Sequence, residues 1–421
     1  MYHLAFANEK GQLFEHPHFG PTGRLGDQWV EPLEEELIPL PQGASLTMLP
    51  GCLPMGMTAQ GQFKAVKHSP FNRKKALAVG ALLPQGYSRT LLPGYVREDL
   101  GQLPLMGYTA VAFKDGELYA AAVQTDEDDH WNPKYYNTAD LAAKVRLKLE
   151  KLPKNRILAQ LAKCALEYEC FTAQNIFYER WEGGLPSSPA CNARCMGCIS
   201  MQPAECCPSP QSRINFKPEV DELVQIAVNH LGDETAIISF GQGCEGEPSL
   251  QAQLLAETIR QVREKTDCGT INMNTNGGLT KEILQVIEAG LDAMRVSLIS
   301  PNPEIYNAYY RPQNYTVQDV AATLKFAAEK GVHTSVNLLT FPGVTDREEE
   351  MEGLITFVQE NGVKLLQIRN LNIDPDVFLK AIPQPQGETI GITRFLDILH
   401  KELPQVGIGN YTKPVVRKVL E

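Results

Sequence analysis

The second half of the chain alternates short apolar runs with segments that carry a helical repeat. An irregular strand close before residue 191 is followed by five runs typical of buried strands, 236–240, 270–274, 293–297, 333–339 and 365–369. Between them, apolar residues recur every three or four positions, which indicates amphipathic helices. Strands that alternate with helices predict a parallel sheet with right-handed crossovers. We therefore expect an α/β fold over residues 184–421, a partial (β/α)6 barrel.

Two segments of this half have the pattern of a helix start. Thr316-x-x-Asp319 and Thr345-x-x-Glu348 match a capping box, in which the two side chains accept hydrogen bonds from each other's backbone N–H groups. Both patterns predict that a helix begins directly after the threonine.

The first part of the chain is rich in glycine and proline and has no long helical repeat. Short apolar runs at 44–49, 76–83, 109–113 and 118–123 are typical of strands, and the Asp115-Gly116 pair between the last two predicts a hairpin. Helical repeats follow over 138–152 and 157–166. The expected domains are therefore a β-rich N-terminal domain (1–135), a helical linker (136–183) and the barrel (184–421).

Composition narrows the possible partners. The 421 residues include 39 Lys and Arg against 50 Asp and Glu, a formal charge of −11, which makes nucleic acid or an anionic membrane an unlikely partner. No run is long and apolar enough to span a bilayer, and the N-terminus does not resemble a secretory signal. Ten scattered cysteines are typical of reduced thiols in a cytoplasmic protein rather than of a disulfide framework.

Three cysteines stand close together at the start of the predicted barrel. Cys191, Cys195 and Cys198 have the spacing C-x3-C-x2-C. Thiolates are soft ligands, and three on one short segment can hold one metal centre. A structural zinc site normally has four protein ligands, so three leave a position open to a substrate or cofactor. Alternatively, Cys206 or Cys207 could close a site that is not catalytic.

At these three cysteines the sequence resembles the radical S-adenosylmethionine (SAM) superfamily, and the order of the motifs agrees over about residues 184–405. The resemblance implies that the thiolates hold a [4Fe-4S] cluster whose fourth iron is chelated by SAM. It also implies a low-potential electron donor such as flavodoxin or ferredoxin, whose electron cleaves SAM to a 5′-deoxyadenosyl radical. The radical would abstract hydrogen from a small-molecule or peptide substrate that the sequence does not identify.

Glycine and polar residues follow the predicted strands, where the site of such a fold is expected. By resemblance, the residues after the second strand contact the amino group of SAM, and those after later strands contact its ribose and carboxylate. Turn formation is an alternative role for Asn276, and a plain surface position for Arg311. Arg369, Asn370 and Asn372 would line the rest of the mouth. The candidate SAM-binding residues are Gly246, Glu247, Pro248, Asn274, Asn276, Ser297, Arg311 and Asn337.

Two further residues near these motifs bear on the resemblance. The position before the third cysteine is often aromatic in the family, whereas here it is Gly197, which leaves the contacts to the adenine open. Cys244, inside the Gly-Glu-Pro segment, would lie near SAM and is a candidate hydrogen donor. Because a partial barrel has an open mouth, we expect the β-rich domain to cover it and to recognise the substrate.

Overall fold

The computed structural model describes residues 1–99, 101–128, 130–202, 209–384 and 387–415. Up to residue 124 the regular structure is almost entirely β. The strands are β1 (His3–Ala7), β2 (Leu13–Glu15), β3 (Gly23–Leu25), β4 (Gln28–Val30), β5 (Leu37–Pro39), β6 (Ser45–Met48), β7 (Cys52–Met57), β8 (Phe63–Ala65), β9 (Leu77–Leu82), β10 (Tyr87–Arg89), β11 (Leu92–Pro93), β12 (Tyr95–Arg97), β13 (Tyr108–Thr109), β14 (Val111–Lys114) and β15 (Glu117–Gln124).

These strands form one large antiparallel sheet and two small ones. The large sheet has the order β10-β15-β14-β1-β9-β13, with β2, β5 and β6 paired along its sides. The small sheets are β11-β3-β4 and β12-β7-β8. The expected hairpin is present: Asp115 and Gly116 both have positive φ, 54° and 80°, as the two-residue turn between β14 and β15 requires.

Three helices follow, one more than the sequence predicts: α1 (Leu141–Lys151), α2 (Arg156–Leu166) and α3 (Phe171–Tyr178). The third helix escapes the apolar pattern because Gln174 and Asn175 are fully buried in it, although both are polar. The Gln174 amide donates to the Ala165 carbonyl (3.1 Å) and the Asn175 amide to the Glu182 carbonyl (3.0 Å). Buried amides with partners can therefore replace apolar residues on the inner face of a helix.

The remaining elements alternate strand and helix, as expected. In chain order they are β16 (Glu182–Gly184), α4 (Val220–His230), β17 (Ile237–Phe240), α5 (Ala252–Arg263), β18 (Thr270–Thr275), α6 (Thr280–Glu288), β19 (Ala293–Leu298), α7 (Pro303–Tyr310), α8 (Val317–Glu329), β20 (His333–Thr340), α9 (Glu348–Glu360), β21 (Leu365–Asn370), α10 (Pro375–Ala381), α11 (Ile392–Glu402) and β22 (Gly407–Gly409). Short 3-10 turns lie at Glu34–Glu36, Pro133–Tyr135 and Pro248–Gln251.

The strands β16 to β22 pair in sequence order as one parallel sheet. The six expected strands are present, and the short β22 adds a seventh at the edge. The largest apolar core lies between this sheet and the helices α1 to α11. Of the two expected capping boxes, the Thr316 box forms, whereas α9 begins at Glu348 with Arg347 as its N-cap. The prediction that a helix begins directly after Thr345 was wrong, because the Thr345 hydroxyl accepts from the Phe341 N–H (2.9 Å) instead of capping α9.

The parallel sheet curls into a partial barrel. Arg295, on the central strand β19, donates to Glu182 on β16 (3.0 Å) and to Gln367 on β21 (3.1 Å). In a flat sheet β16 lies about 14 Å from β19, beyond the reach of one side chain. One guanidinium can therefore contact both strands only across the inside of a barrel.

The β-rich region lies against the carboxyl ends of β20 and β21. The Asn370 amide donates to the Tyr87 carbonyl (3.0 Å) and accepts from the Arg89 N–H (2.9 Å), which ties β10 to β21. The buried Arg89 side chain donates to the carbonyls of Thr340 (3.4 Å) and Leu371 (2.9 Å). None of the helices in the described ranges is long and apolar enough to cross a membrane.

Candidate active site

The cysteine loop, residues 191–198, lies between two cavities. Cys191, Cys195 and Cys198 line both, and each side chain is partly accessible. The polar cavity, about 560 Å³, opens at the carboxyl ends of the parallel strands. The apolar cavity, about 580 Å³, is a second cavity at the loop whose apolar lining includes Leu103, Leu105, Met196, Ile373 and Val377.

The end of α7 holds the cysteine loop in place. The Arg194 N–H donates to the Tyr310 carbonyl and the Met196 N–H to the Tyr309 carbonyl, both at 3.0 Å. At Gly197 a Cβ would lie 2.7 Å from the Tyr309 hydroxyl, so the buried Tyr309 ring lies where a side chain at position 197 would have to pack. Position 197 has no aromatic side chain, and the aromatic ring of Tyr309 on α7 occupies the adjacent space instead.

Glu245 joins the segment just before the cysteine loop to the glycine loop, residues 241–246. Its buried carboxylate accepts from the Ser187 N–H (2.8 Å), the Ser187 hydroxyl (2.8 Å) and the Ser188 N–H (3.0 Å). It also accepts from the Gly241 N–H (2.5 Å). Burial raises the pKa of Glu245 to about 7, against the effect of these hydrogen bonds. The sequence pattern marked this segment but not the bracing role of Glu245.

The two glycines at the ends of the glycine loop allow close backbone contacts. Gly241 has φ +78°, and a Cβ there would overlap the Asn274 carbonyl. A Cβ at Gly246 would overlap the Ala190 carbonyl, directly before the first cysteine of the loop. Backbone therefore approaches backbone where the glycine and cysteine loops meet.

The structure brings four of the eight candidate SAM-binding residues to the polar cavity. Gly246, Asn274, Ser297 and Asn337 line it beside the three cysteines. The Asn274 amide is already engaged, because it accepts from the Arg295 Nε–H and donates to the Phe240 carbonyl. The Asn337 Oδ1 atom is buried and has no hydrogen-bond partner among the described residues, which leaves an acceptor for a ligand.

Three other candidates lie behind the cavity wall. The Glu247 carboxylate accepts from the Ser249 N–H (3.0 Å), which makes it the N-cap of the 3-10 turn that starts at Pro248. The same carboxylate accepts from the Asn276 N–H (2.8 Å), and the Asn276 amide donates to Asn192 (2.6 Å) in the cysteine loop. These residues shape the wall rather than face the cavity. Arg311 is exposed, ends α7 in the left-handed conformation, and lies on the apolar cavity.

One prediction about cysteines was wrong. The Cys244 sulfur is buried against Cys164 on α2 and does not line the polar cavity, so it does not occupy the position expected of a hydrogen donor. The Cα atoms of Cys164 and Cys244 are 7.6 Å apart, wider than a protein disulfide spans, so this contact does not overturn the expectation of reduced thiols. Cys206 and Cys207 lie outside the described residues, and so does any site that they would close.

The three thiols form one set of soft metal donors. Within the described ranges no group of three or more His, Cys, Asp or Glu side chains is arranged to hold one metal ion. Burial and mutual repulsion nevertheless couple the thiols: burial raises the pKa of Cys191 to about 11, and burial, Cys191 and Cys198 raise that of Cys195. Three soft ligands around one cavity, with an open side, are the donor set of a [4Fe-4S] cluster with one free iron.

The sequence pattern missed Arg213, which lies at the cysteine loop. Its guanidinium lies 3.6 Å from Cys198 Sγ, donates to the Ser200 hydroxyl (3.2 Å) and lines both cavities. Its position lies 15 residues beyond Cys198, across a segment without a readable pattern. Only the fold brings it to the thiols.

The fold and the site together define a class of protein: a partial parallel barrel that carries three thiols on a loop at the carboxyl ends of its strands. The family model of the radical SAM superfamily matches residues 185–355. Residues 185–355 therefore belong to the radical SAM superfamily, a group of enzymes for which the family implies a [4Fe-4S] cluster and SAM as cofactors.

The curated relatives resemble only part of the chain. A GTP 3′,8-cyclase of Corynebacterium glutamicum is 31% identical over 190 residues, 44% of this chain and 48% of the relative. An uncharacterized protein of Methanocaldococcus jannaschii is 26% identical over 227 residues, 52% of this chain and 61% of the relative. The chain thus spans about half the length of the curated relatives that it matches.

The solved structures that the chain resembles have lower sequence identity to it than these relatives. The FeFe-hydrogenase maturase HydG of Carboxydothermus hydrogenoformans matches with a TM-score of 0.37 and 15% identity, over 64% of this chain and 68% of that one. SuiB of Streptococcus suis bound to SAM matches with a TM-score of 0.38 and 12% identity, over 75% and 72%.

Proposed function

We propose that Cys191, Cys195 and Cys198 hold a [4Fe-4S] cluster, and that the enzyme reductively cleaves SAM to start hydrogen abstraction from a small molecule or a peptide. When bound, the cluster and SAM supply the electron transfer and the 5′-deoxyadenosyl radical. The observation that carries the proposal is that the three thiols and the strand-end residues Gly246, Asn274, Ser297 and Asn337 line one cavity.

The protein's own residues orient the cofactors and exclude water. Glu245 fixes the segment just before the cysteine loop against the glycine loop, and the Asn337 Oδ1 atom offers an unused acceptor. We propose that Glu247, Pro248 and Asn276 act indirectly, by shaping the wall behind SAM. Because Arg311 lies on the other cavity, its role in holding SAM stays a prediction.

We further propose that residues 1–135 form a domain that recognises the substrate, joined by a helical linker (136–183) to the barrel (184–421). Leu83, Pro84, Gln85 and Tyr87 of this region line the polar cavity, which supports the proposal. A lid of this kind would shield a radical from solvent. The cluster requires an electron donor, for which flavodoxin or ferredoxin is our proposal, and a reducing compartment such as the cytoplasm.

Iron analysis tests the cluster ligands. After anaerobic reconstitution, each of Cys191→Ala, Cys195→Ala and Cys198→Ala is expected to lose most of its iron and sulfide. Each is also expected to lose the release of 5′-deoxyadenosine from SAM under reduction, because removal of one thiolate leaves an iron without its ligand.

Cys268→Ala is the matched control, since Cys268 is a free and exposed cysteine away from the loop. It is expected to keep the iron and the SAM cleavage of the unchanged protein. A full iron complement in all three loop variants would refute the assignment of the ligands. Zinc without sulfide in the unchanged protein would instead favour a metal protein that is not catalytic.

A further inference from the structure

Arg369, at the carboxyl end of β21, lines the polar cavity with few partners of its own. Its Nη1 donates to the Gln85 Oε1 atom (2.6 Å), and its Nη2 contacts the Gln367 Oε1 atom at 3.4 Å. Within the described ranges it forms no ion pair with a carboxylate. A guanidinium has more N–H donors than these two amide contacts use.

The carboxylate whose charge acts on Arg369 is already paired with another arginine. Glu182 forms an ion pair with Arg295 (3.0 Å) and also accepts from the Ser239 hydroxyl (2.7 Å). Burial and the neighbouring Arg295 lower the pKa of Arg369 to about 10, so its guanidinium remains charged at neutral pH. This group of two arginines and one glutamate therefore carries one uncompensated positive charge at the cavity wall.

Other arginines of the barrel mouth have structural partners. Arg89 is fully buried, but it donates to three backbone carbonyls, those of Tyr108, Thr340 and Leu371. Arg213 touches the cysteine loop, so an anionic group bound near Cys198 has a cation of its own. Arg369 is thus available to bind a different anion, at the part of the cavity wall that it forms together with Gln85.

Gln85 belongs to the β-rich region and is positioned by it. The Tyr411 hydroxyl donates to the Gln85 carbonyl (2.9 Å), and two residues further on the Tyr87 carbonyl is tied to Asn370. Because Gln85 Oε1 accepts from Arg369, its Nε2 is left as a second donor beside the guanidinium. One donor group from each region therefore meets at the same point of the cavity.

We propose that Arg369 and Gln85 bind an oxyanion, a carboxylate or a phosphate, on the substrate of this enzyme. The inference depends on the proposed function only where it calls the ligand a substrate. The anion site itself rests on Arg369 and its surroundings. Both oxyanions accept two parallel N–H bonds from a guanidinium, which fixes orientation as well as charge. The site thus selects substrates that carry a negative group at one end.

Calorimetric titration of the reconstituted protein with malonate and with pyrophosphate tests the proposal and separates the two sources of oxyanion. One of the two is expected to bind at one site per chain. Arg369→Gln should weaken that binding at least about tenfold, a loss of about 1.4 kcal/mol. Arg369→Lys should restore part of it, because lysine keeps the charge but not the planar fork.

Gln85→Leu gives a second variant outside the barrel, in case Arg369→Gln disturbs the fold, and should weaken the same binding several-fold. Arg394→Gln, on the exposed side of α11, is the matched control and should bind the anion as the unchanged protein does. Arg369→Gln should change the affinity for SAM by no more than about twofold, which corresponds to less than about 1 kcal/mol of binding free energy.

Three results would overturn the proposal: neither anion binds, Arg369→Gln binds as well as the unchanged protein, or Arg369→Gln loses SAM affinity equally. The third result would assign Arg369 to SAM. Failure of the cluster assignment would appear instead in the iron content of the cysteine variants, and it would leave anion binding and its loss in Arg369→Gln measurable.

Discussion

The β-rich region contacts the barrel in two places that differ in how their charged side chains are paired. At the first, the ion-paired contact, Arg97 pairs with Asp374 (2.8 Å) and Asp376 (3.0 Å), and Arg24 pairs with Asp376 (2.9 Å). At the second, the amide contact, Gln85 meets Arg369, and Asn370 meets Tyr87. Two arginines and two aspartates balance in the first contact, whereas in the second the cation Arg369 forms no ion pair with any carboxylate that the structure describes. The first contact fixes the two regions together, and the second leaves room for a ligand.

Removal of Asp374 should have the largest effect on stability. Its side chain, 4% exposed, accepts from Arg97 and from the Leu103 N–H (2.8 Å). Asp374→Ala is expected to lower the free energy of unfolding by about 3–5 kcal/mol, because it leaves buried donors unpaired. Urea unfolding measures the loss. Glu98→Ala, which removes an exposed pair with Lys75, is the control and should change little; an equal loss in both variants would contradict the comparison.

Asp346 should make the stability near the ion-paired contact depend on pH. It lies in the turn after β20 whose Pro342 carbonyl accepts from the Gly26 N–H (2.9 Å) of the β-rich region. Its Oδ1 atom accepts from the Gly343 N–H (2.6 Å), but within the described part of the chain its Oδ2 atom has no hydrogen-bond partner. Burial raises the pKa of Asp346 from 3.8 to about 6. Between these values the folded state binds more protons than the unfolded state, so stability falls as the pH rises.

Asp346→Asn should therefore be the more stable protein by up to about 3 kcal/mol at pH 8, with no difference below pH 3.8. Urea unfolding of both proteins across this range measures the difference. Parallel stability curves would show that the Asp346 carboxyl titrates alike in the folded and unfolded states.

Loss of the Asn370 side chain should give the smallest change in stability and act on the amide contact alone. Asn370→Ala removes the bonds to the Arg89 N–H and the Tyr87 carbonyl, a cost of about 1–2 kcal/mol. Because Tyr87 is two residues from Gln85, the same variant should weaken binding of the malonate or pyrophosphate probe a few-fold. An unchanged affinity would mean that Gln85 does not depend on this tie for its position.

The order of the barrel strands and the cysteine loop could be predicted from the sequence because their signals are local. Apolar runs mark β17 to β21, and three cysteines within eight residues mark the loop. The three-residue strand β22, with two glycines, is too short to carry a pattern. The motif 245–248 was found, but the sequence could not show that Glu245 contacts the segment just before the cysteine loop while Glu247 contacts the turn at Ser249 and the end of β18.

The contact between Gln85 and Arg369 could not be predicted because it joins residues 284 positions apart. Composition marks the whole chain as acidic, yet the fold concentrates a positive charge at one wall of the cavity. The same reason hides the Cys164–Cys244 pair, whose members are 80 residues apart. Long-range pairing of polar side chains depends on the packed structure and not on any period in the sequence.

The cysteine loop forms a wall shared by the polar and the apolar cavity. Under the proposed function, a substrate in the polar cavity would leave the apolar cavity free beside the same three thiols, as a second approach for electrons. Reduction and substrate binding would then need no fixed sequence in time, and kinetics with the two added in either order should give the same rate. Dioxygen would have the same second approach while the substrate is bound, so that saturation with substrate should protect the enzyme little against inactivation by air.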